Sequence, residues 1–185
     1  MTHHSDAVVR VMRPDEFATV RSLSLNAFHG ASAIGALLDL LRESWSWDGE
    51  LSFVAELNGE LVGHVLYSHA ILDAPRRLVD VLLLSPIGVR KDLQRSGIGS
   101  RLIHESVTVL SRRNEPVVFL EGHPSYYPRF GFRQAAQLGF IVPSTRIPTA
   151  AFMVLPLPRY EAWMTGTLVY PDAFWRADAV GLRDK

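Results

Sequence analysis

The chain has 185 residues and no cysteine, and its 19 lysines and arginines balance 19 aspartates and glutamates. That length suits one globular domain with a sizeable core, and a composition of 48% apolar and 21% charged residues is ordinary for a folded protein. The missing cysteines exclude disulfides, thiolate metal ligands and a cysteine nucleophile. The zero net charge gives no general attraction to nucleic acid or to a membrane surface.

Neither the N-terminal residues nor any internal segment has the pattern of a targeting or membrane segment. Residues 1–5 lack the charged and then apolar order of a signal peptide. The longest apolar run, residues 79–89, is too short to cross a bilayer. We therefore expect a single cytoplasmic domain over residues 1–185, with neither nucleic acid nor a membrane as a partner.

In chain order, the apolar periodicity predicts a strand, two helices and a hairpin before the centre of the sequence. The predicted elements are a strand at 8–12, helices at 14–30 and 33–43, and strands at 51–57 and 60–71. The dipeptide Asn58-Gly59 lies between the last two strands, and both residues tolerate a positive φ, so it predicts a tight hairpin turn.

Residues 78–89 form a long, nearly all-apolar run, which predicts a strand buried on both faces at the centre of a sheet. Pro86 and Gly88 interrupt this run. Because proline donates no ladder hydrogen bond, Pro86 requires an edge, a bulge or a break in pairing. A strand this hydrophobic favours a bulge over an exposed edge.

The second half of the chain predicts a further alternation of helices and strands. The predicted elements are a polar loop at 90–96, a helix at 97–114, a strand at 116–120, a short helix at 124–130, a strand region at 131–142, a turn-rich loop at 143–148, and strands at 151–155 and 165–170. Together these elements indicate one α+β domain with a mixed sheet.

The polar loop and the start of the following helix have the features of an anion site. The first turn of a helix leaves backbone N–H groups without partners, and the helix dipole attracts negative charge there. Gly97 and Gly99 remove side chains from the surface that a phosphate would approach. Gln94 and Arg95 add polar and cationic groups beside them.

Three other interpretations of this turn remain to be compared. A glycine-containing helix start that binds no ligand is the simplest of them. A P-loop requires G-x-x-x-x-G-K-[ST], which is absent from the sequence. A dinucleotide-binding turn requires a third glycine where Leu102 stands, and it follows its strand directly, whereas seven residues separate Val89 from Gly97 here.

Several motifs of the sequence together resemble those of the GNAT acetyltransferases. Gln94-x-x-Gly97-x-Gly99 resembles the [QR]-x-x-G-x-[GA] signature that follows the fourth strand in that family. Residues 127–132 resemble its Y-x-x-x-G-F element, and residues 122–132 are similar to the YhbS-like branch. Residues 152–155 and 166–171 also resemble that branch, so the likeness extends over most of the chain and is weakest before Leu51.

The resemblance implies a fold and a co-substrate. The implied fold is a mixed, mostly antiparallel sheet of about seven strands with about four flanking helices, splayed between strands four and five. Acetyl-CoA is the implied co-substrate, without a metal. The main chain of Ile87 and Val89 would face the pantetheine arm. The implied pyrophosphate-binding residues are Gln94, Arg95, Ser96, Gly97, Ile98 and Gly99.

The resemblance also implies direct acetyl transfer from the thioester to an amine. Tyr127 matches the family's tyrosine acid by position. The carboxylate that many relatives carry on strand four is missing from residues 82–85, so Glu121 or His123 is the candidate base, or an amine arrives neutral and needs none. Trp45, Trp47 and the loop at 143–148 fall where the family builds its acceptor pocket.

Some questions stay open at this level. A non-catalytic acyl-CoA-binding module is the main alternative to an enzyme, and a dinucleotide-dependent oxidoreductase is a weaker one. The acceptor is an amine of a small molecule or of a peptide or protein, because a fold does not choose among acceptors. A strand near the C terminus could pair across a homodimer.

Overall fold

The computed structural model describes residues 7–28 and 30–181, which form one mixed sheet with helices on both faces. The strands of this described part are β1 (Val8–Val11), β2 (Ser52–Leu57), β3 (Glu60–Asp73), β4 (Leu78–Val89), β5 (Val117–Glu121), β6 (Arg133–Gln134), β7 (Phe140–Ile141), β8 (Phe152–Pro156) and β9 (Gly166–Val169). Its α-helices are α1 (Phe17–Ala27), α2 (Ser32–Arg42), α3 (Ile98–Leu110) and α4 (Asp172–Arg176).

The sheet has the order β1-β2-β3-β4-β5-β8-β6, with β9 paired to the end of β3 and β7 paired to β9. The pairs β4–β5 and β7–β9 are parallel, and the other pairs are antiparallel. The predicted mixed, mostly antiparallel sheet with four helices is confirmed. The described residues contain nine strands rather than about seven because β6 and β7 are two-residue strands, each paired along one edge.

Two hydrophobic clusters cover the two faces of the sheet. Val117 and Phe119 of β5 belong to the cluster that α1, α2 and α4 cover, whereas Val118 and Leu120 belong to the cluster beneath α3. This alternation follows from the two-residue period of a strand and explains why β5 is apolar at successive positions. The continuous apolar run predicted for β4 is buried in the same way.

The β2–β3 hairpin forms as the sequence predicts. Asn58 and Gly59 have φ values of 52° and 81°, so both turn residues adopt the left-handed conformation that this dipeptide tolerates. β3 is long enough to continue past β2, and its last residues pair with β9.

The predicted bulge lies in β4. Val65 of β3 is opposite Ile87, whereas Tyr67 is opposite Leu84, so Ser85 and Pro86 together occupy the place of one residue. An extra residue of this kind bends a strand and interrupts its pairing.

β4 and β5 diverge next to this bulge. The two strands pair only at Leu82 with Val118 and at Leu83 with Phe119. Beyond that point β4 continues to Val89 and β5 to Glu121 without pairing to each other. The predicted splay between strands four and five is therefore confirmed, and it opens the sheet on the side of the carboxyl ends of both strands.

Two segments differ from the sequence-based expectation. Residues 131–142 were expected to be a strand region, but the helix-forming residues 135–138 form a 3₁₀ turn that Gly139 ends with a φ of 79°. This turn leaves only the two-residue strands β6 and β7 on either side. The predicted elements end with the strand at 165–170 and so omit α4, which begins at Asp172 because proline and an acidic residue favour a helix N-terminus.

No helix in the described part of the chain is long and apolar enough to span a bilayer. A cytoplasmic location stays a prediction.

Candidate active site

An open cleft of about 600 Å³ lies where β4 ends and α3 begins. It follows the edge of β4 that β5 leaves free and reaches the loop between β4 and α3. Its lining residues are Ala27, Phe28, Ile87, Gly88, Val89, Leu93, Gln94, Arg95, Gly97, Gly99, Ser100, Tyr126 and Arg129.

The turn before α3 presents main-chain donors to the cleft. Gly97 caps the helix with a φ of 93°, and Arg95 also has a positive φ, of 63°. As the first residues of the helix, Ile98, Gly99 and Ser100 have amides without an intrahelical acceptor. A β-carbon built on Gly97 meets no atom within 4 Å, so the space in front of these amides is open. This geometry suits a phosphate group.

The free edge of β4 presents a second set of main-chain groups. The N–H of Arg90 donates to the Val62 carbonyl on β3 at 2.8 Å. Because successive residues of a strand direct their N–H and C=O groups to opposite edges, those of Ile87 and Val89 face away from β3 and into the cleft. The Gln94 side-chain amide donates to the Val89 carbonyl at 3.2 Å, which fixes the loop against the strand.

The structure brings most of the predicted cofactor residues together. Two of them contribute no side chain to the cleft: Ser96 donates its hydroxyl to the Leu93 carbonyl, and the Ile98 side chain is 2% exposed in the core beneath α3. Their positions in the turn are right, but only their main chain could contact a ligand. The remaining predicted residues, Ile87, Val89, Gln94, Arg95, Gly97 and Gly99, all line the cleft.

Sequence reasoning missed Phe28, Tyr126 and Arg129. The Arg129 guanidinium lies 4.8 Å from the centre of the Tyr126 ring, and its Nε donates to the Tyr126 carbonyl at 2.9 Å. A β-carbon on Gly99 would approach the Tyr126 hydroxyl to 3.3 Å, so these two residues fit closely together. The spacing of Tyr126 and Arg129 within the 122–132 motif was the available signal, whereas Phe28 carries none.

Tyr127 lies behind Tyr126 rather than on the surface of the cleft. Its ring packs edge-on against Tyr126 and Phe132, with centroids 5.1 and 5.7 Å away. The ring occupies the space that a side chain at Gly122 would need, since a β-carbon there would lie 2.2 Å from it. Burial raises the pKa of Tyr127 to about 12, so the phenol remains protonated near neutral pH.

A smaller chamber of about 200 Å³ lies at the divergence of β4 and β5. Glu121 lines it, and its carboxylate accepts a hydrogen bond from the Tyr170 hydroxyl at 2.8 Å and one from the Gly181 N–H at 3.0 Å. Burial raises the pKa of Glu121 above its ordinary value, although these two hydrogen bonds and the charge of Arg146 act in the opposite direction. A carboxylate with a raised pKa can accept a proton readily.

His123 is exposed on the loop after β5, and its Nδ1 lies 2.9 Å from the Ser125 hydroxyl. It lines neither of the two openings that the described residues form around the end of β4. The structure therefore separates the two candidate bases and leaves Glu121 alone beside the point of divergence.

The expected position of the tryptophans was wrong. Trp45 lines a groove with His69 and Asp80, near the opposite end of β4, because α2 ends on that side of the sheet. Trp47 packs edge-on against Phe17 of α1 at 6.0 Å, as part of the core. The assignment of the loop at 143–148 to the acceptor pocket stays a prediction, although Arg146 of this loop is close enough to Glu121 for its charge to lower the pKa of that carboxyl.

Within the described ranges, no group of three or more histidine and carboxylate side chains is arranged to hold a metal ion. His64, on β3, is buried away from both openings. Its ring lies 2.9 Å from the Ser52 hydroxyl and 3.4 Å from the Ser24 hydroxyl, and burial lowers its pKa to about 3.

Comparison with known proteins agrees with this geometry. Residues 48–134 match a family described as an acetyltransferase (GNAT) domain. The chain is 33% identical over 117 residues to the uncharacterized N-acetyltransferase YjhQ of Escherichia coli, and the match covers 63% of this chain and 64% of that relative.

Two solved structures resemble the whole described fold. The GNAT family N-acetyltransferase YhbS of Escherichia coli, in complex with CoA, has a TM-score of 0.83 and 26% identity, and the match covers 96% of each chain. A GNAT family acetyltransferase of Brucella melitensis, in complex with acetyl-CoA, has a TM-score of 0.71 and 28% identity, over 93% of this chain and 99% of that one.

The described residues therefore have the GNAT fold, with the divergent central strands that go with it. More specifically, residues 48–134 match the GNAT acetyltransferase domain.

Proposed function

We propose that this protein is an acetyl-CoA-dependent N-acetyltransferase that acts on the amine of a small molecule or a peptide. The observation that carries the proposal is the cleft of bare main chain formed by the free edge of β4 and the glycine-bounded start of α3. The CoA and acetyl-CoA complexes of the two structural relatives support it.

The residues of the cleft fit coenzyme A in both charge and shape. The amides at the start of α3, with Arg95 and Arg129 nearby, suit the pyrophosphate. The main-chain groups of Ile87 and Val89 suit the amides of the pantetheine arm, because an unpaired strand edge bonds an extended partner. When bound, acetyl-CoA would supply an acyl group activated as a thioester.

Tyr127 and Glu121 suit the two proton transfers of the reaction. The Glu121 carboxylate accepts a proton from the ammonium group of the acceptor, which frees the nitrogen lone pair to bond to the acyl carbon. The carbon–sulfur bond then breaks, the sulfur keeps the electron pair, and the Tyr127 hydroxyl supplies its proton. The nitrogen releases its remaining extra proton to solvent once it is bonded to the acyl carbon. Glu121 also releases its proton to solvent and Tyr127 regains one from solvent, so the products are an amide, CoA and one proton.

Titration calorimetry with acetyl-CoA tests the cofactor assignment, using two matched glycine substitutions. Gly97 and Gly59 have φ values of 93° and 81°, and a β-carbon on either meets no atom within 4 Å. Gly97→Ala places a methyl group where the phosphates would lie and should weaken binding at least ~10-fold, which is about 1.4 kcal/mol. Gly59→Ala introduces the same backbone strain in the β2–β3 turn and should leave affinity unchanged.

Equal affinities of the two variants would remove the basis for this cofactor site. A second measurement, CoA thiol release with a panel of amines, separates the enzyme from a binding module. Tight acetyl-CoA binding without thiol release from any amine would favour the non-catalytic alternative.

A further inference from the structure

The chamber beside Glu121 has a size and a lining that bear on which amine is used. It is bounded by Leu83, Leu84 and Ser85 where β4 leaves β5, and by Glu121 at the end of β5. The free edge of β4 continues from this chamber to Ile87 in the cleft, so an acyl group arriving along that edge meets the chamber at the divergence.

We infer, on the basis of the proposed function, that the acceptor is a compact primary monoamine. The chamber has a volume of about 200 Å³. Pockets for drug-sized ligands have volumes of roughly 300–1,000 Å³, so this chamber is suited to a smaller molecule.

The lining of the chamber favours a ligand with one positive charge. Leu83, Leu84 and Phe174 are almost fully buried, so most of the exposed lining is polar, and Glu121 is the acidic side chain among the lining residues. An ammonium group beside Glu121 is stabilised by its charge. A second ammonium group would be repelled by Arg146, whose charge already lowers the pKa of Glu121.

The segment after β9 forms one side of the chamber and leaves no room for an extended peptide substrate. Tyr170 and Gly181, at the two ends of this segment, both donate hydrogen bonds to Glu121, and Phe174 and Ala179 between them line the chamber. Gly181 is also pressed against Arg146, since a β-carbon there would lie 2.7 Å from the Arg146 carbonyl carbon. A lysine within a peptide would have to place its flanking residues where these contacts lie.

Steady-state CoA release with n-propylamine, benzylamine, spermidine and a lysine-containing peptide tests the inference. We expect kcat/KM for the two monoamines to exceed that for spermidine and for the peptide at least ~10-fold, which corresponds to about 1.4 kcal/mol. Preference for spermidine or for the peptide would overturn the inference and leave the proposed function intact. Release with none of the amines would instead contradict the proposed function.

A substitution that fills the chamber provides a second, independent test. Ala179 is half-buried in an irregular segment, and Ala179→Leu should lower kcat/KM for benzylamine at least ~10-fold and for n-propylamine less, because the larger body loses its space. Ala136→Leu makes the same change at an exposed position outside the chamber. Acetyl-CoA affinity should stay unchanged in both variants. If Ala179→Leu retains the parent's ratio of the two amines, the chamber is not the acceptor site.

Discussion

The cleft and the chamber both lie beside β4, but they present different groups to a ligand: main-chain groups in the cleft and side chains in the chamber. The cleft is formed by main chain, where Gly97 and Gly99 withhold side chains and Ile87 and Val89 present backbone groups. The chamber is formed by side chains that come from distant parts of the sequence. The comparison shows that one opening can recognise a constant ligand through its backbone while the other can vary its ligand through its side chains.

The largest expected effect concerns Tyr127, whose ring packs against Tyr126 of the cleft. Tyr127→Phe should reduce kcat at least ~100-fold, because a positioned general acid contributes roughly 10²–10⁴-fold to a rate. The affinity for acetyl-CoA should change little, since the phenol is buried behind Tyr126. Single-turnover kinetics and calorimetry on the same preparation measure the two quantities separately.

Tyr126→Phe is the matched control for this prediction. Tyr126 lines the cleft directly, so removing its hydroxyl should alter acetyl-CoA affinity by a few-fold at most and leave kcat near the parent value. If the two variants lose activity equally, the distinction between a catalytic and a packing tyrosine is wrong.

An intermediate effect is expected at Glu121, and it tests whether the carboxylate in the chamber acts as the base. Glu121 must be deprotonated to act as a base, so kcat/KM should fall as the pH drops through its pKa, which burial raises. The hydrogen bond from the Tyr170 hydroxyl lowers that pKa, so Tyr170→Phe should move the acidic limb of the profile to higher pH.

Glu121→Gln provides the complementary measurement. It should lower kcat/KM by about 100-fold, the lower end of the contribution of a general base, and remove the acidic limb of the pH profile. An unaltered limb in Tyr170→Phe and Glu121→Gln would point to a substrate amine that arrives neutral and needs no base from the protein.

The smallest effect concerns the wall of the cleft formed by α1. His64 joins β3 to Ser24 of α1 and stays neutral because burial lowers its pKa to about 3, from an ordinary value of 6.5. The unfolded chain binds a proton below pH 6.5, whereas the folded protein does not until about pH 3. The stability that His64 contributes is therefore complete above pH 6.5 and is lost progressively as the pH falls towards 3.

Between pH 7 and pH 5 this group alone should reduce the free energy of unfolding by about 2 kcal/mol. Urea denaturation at the two pH values measures the difference. The His64→Gln variant should be less stable than the parent at pH 7. The change in its free energy of unfolding between pH 7 and pH 5 should be smaller, because the contribution of the His64 imidazole is absent. A pH difference as large as that of the parent would assign the effect to other titrating groups.

The sequence predicted the cleft better than the chamber because of how each is encoded. Glycine spacing, an apolar strand and a helix start are local patterns, and they placed Gly97, Gly99 and the bulge at Pro86 correctly. The same kind of pattern predicted the hairpin at Asn58. Each of these features depends on main-chain geometry within a short stretch of chain, whereas the splay of the central strands was implied by the resemblance to the GNAT acetyltransferases.

The chamber depends on contacts between residues far apart in sequence, which no local pattern shows. The bond from Tyr170 to Glu121 spans 49 residues, and the one from Gly181 spans 60. The helix α4 carries Phe174 into this region and was not predicted. The family resemblance suggested Trp45 for the acceptor pocket, but the topology of α2 places it near the opposite end of β4.

The extra residue in β4 divides that strand into two halves with opposite phase. Before it, odd-numbered residues such as Val81 and Leu83 point towards α1 and α2, and after it the odd-numbered Ile87 and Val89 pack on the α3 side. Gly88 consequently meets Ala27 of α1, where only a residue without a side chain fits. Deleting either Ser85 or Pro86 would turn every later side chain of β4 to the opposite face of the sheet. The number of residues in this part of β4 is therefore constrained as strictly as their identity.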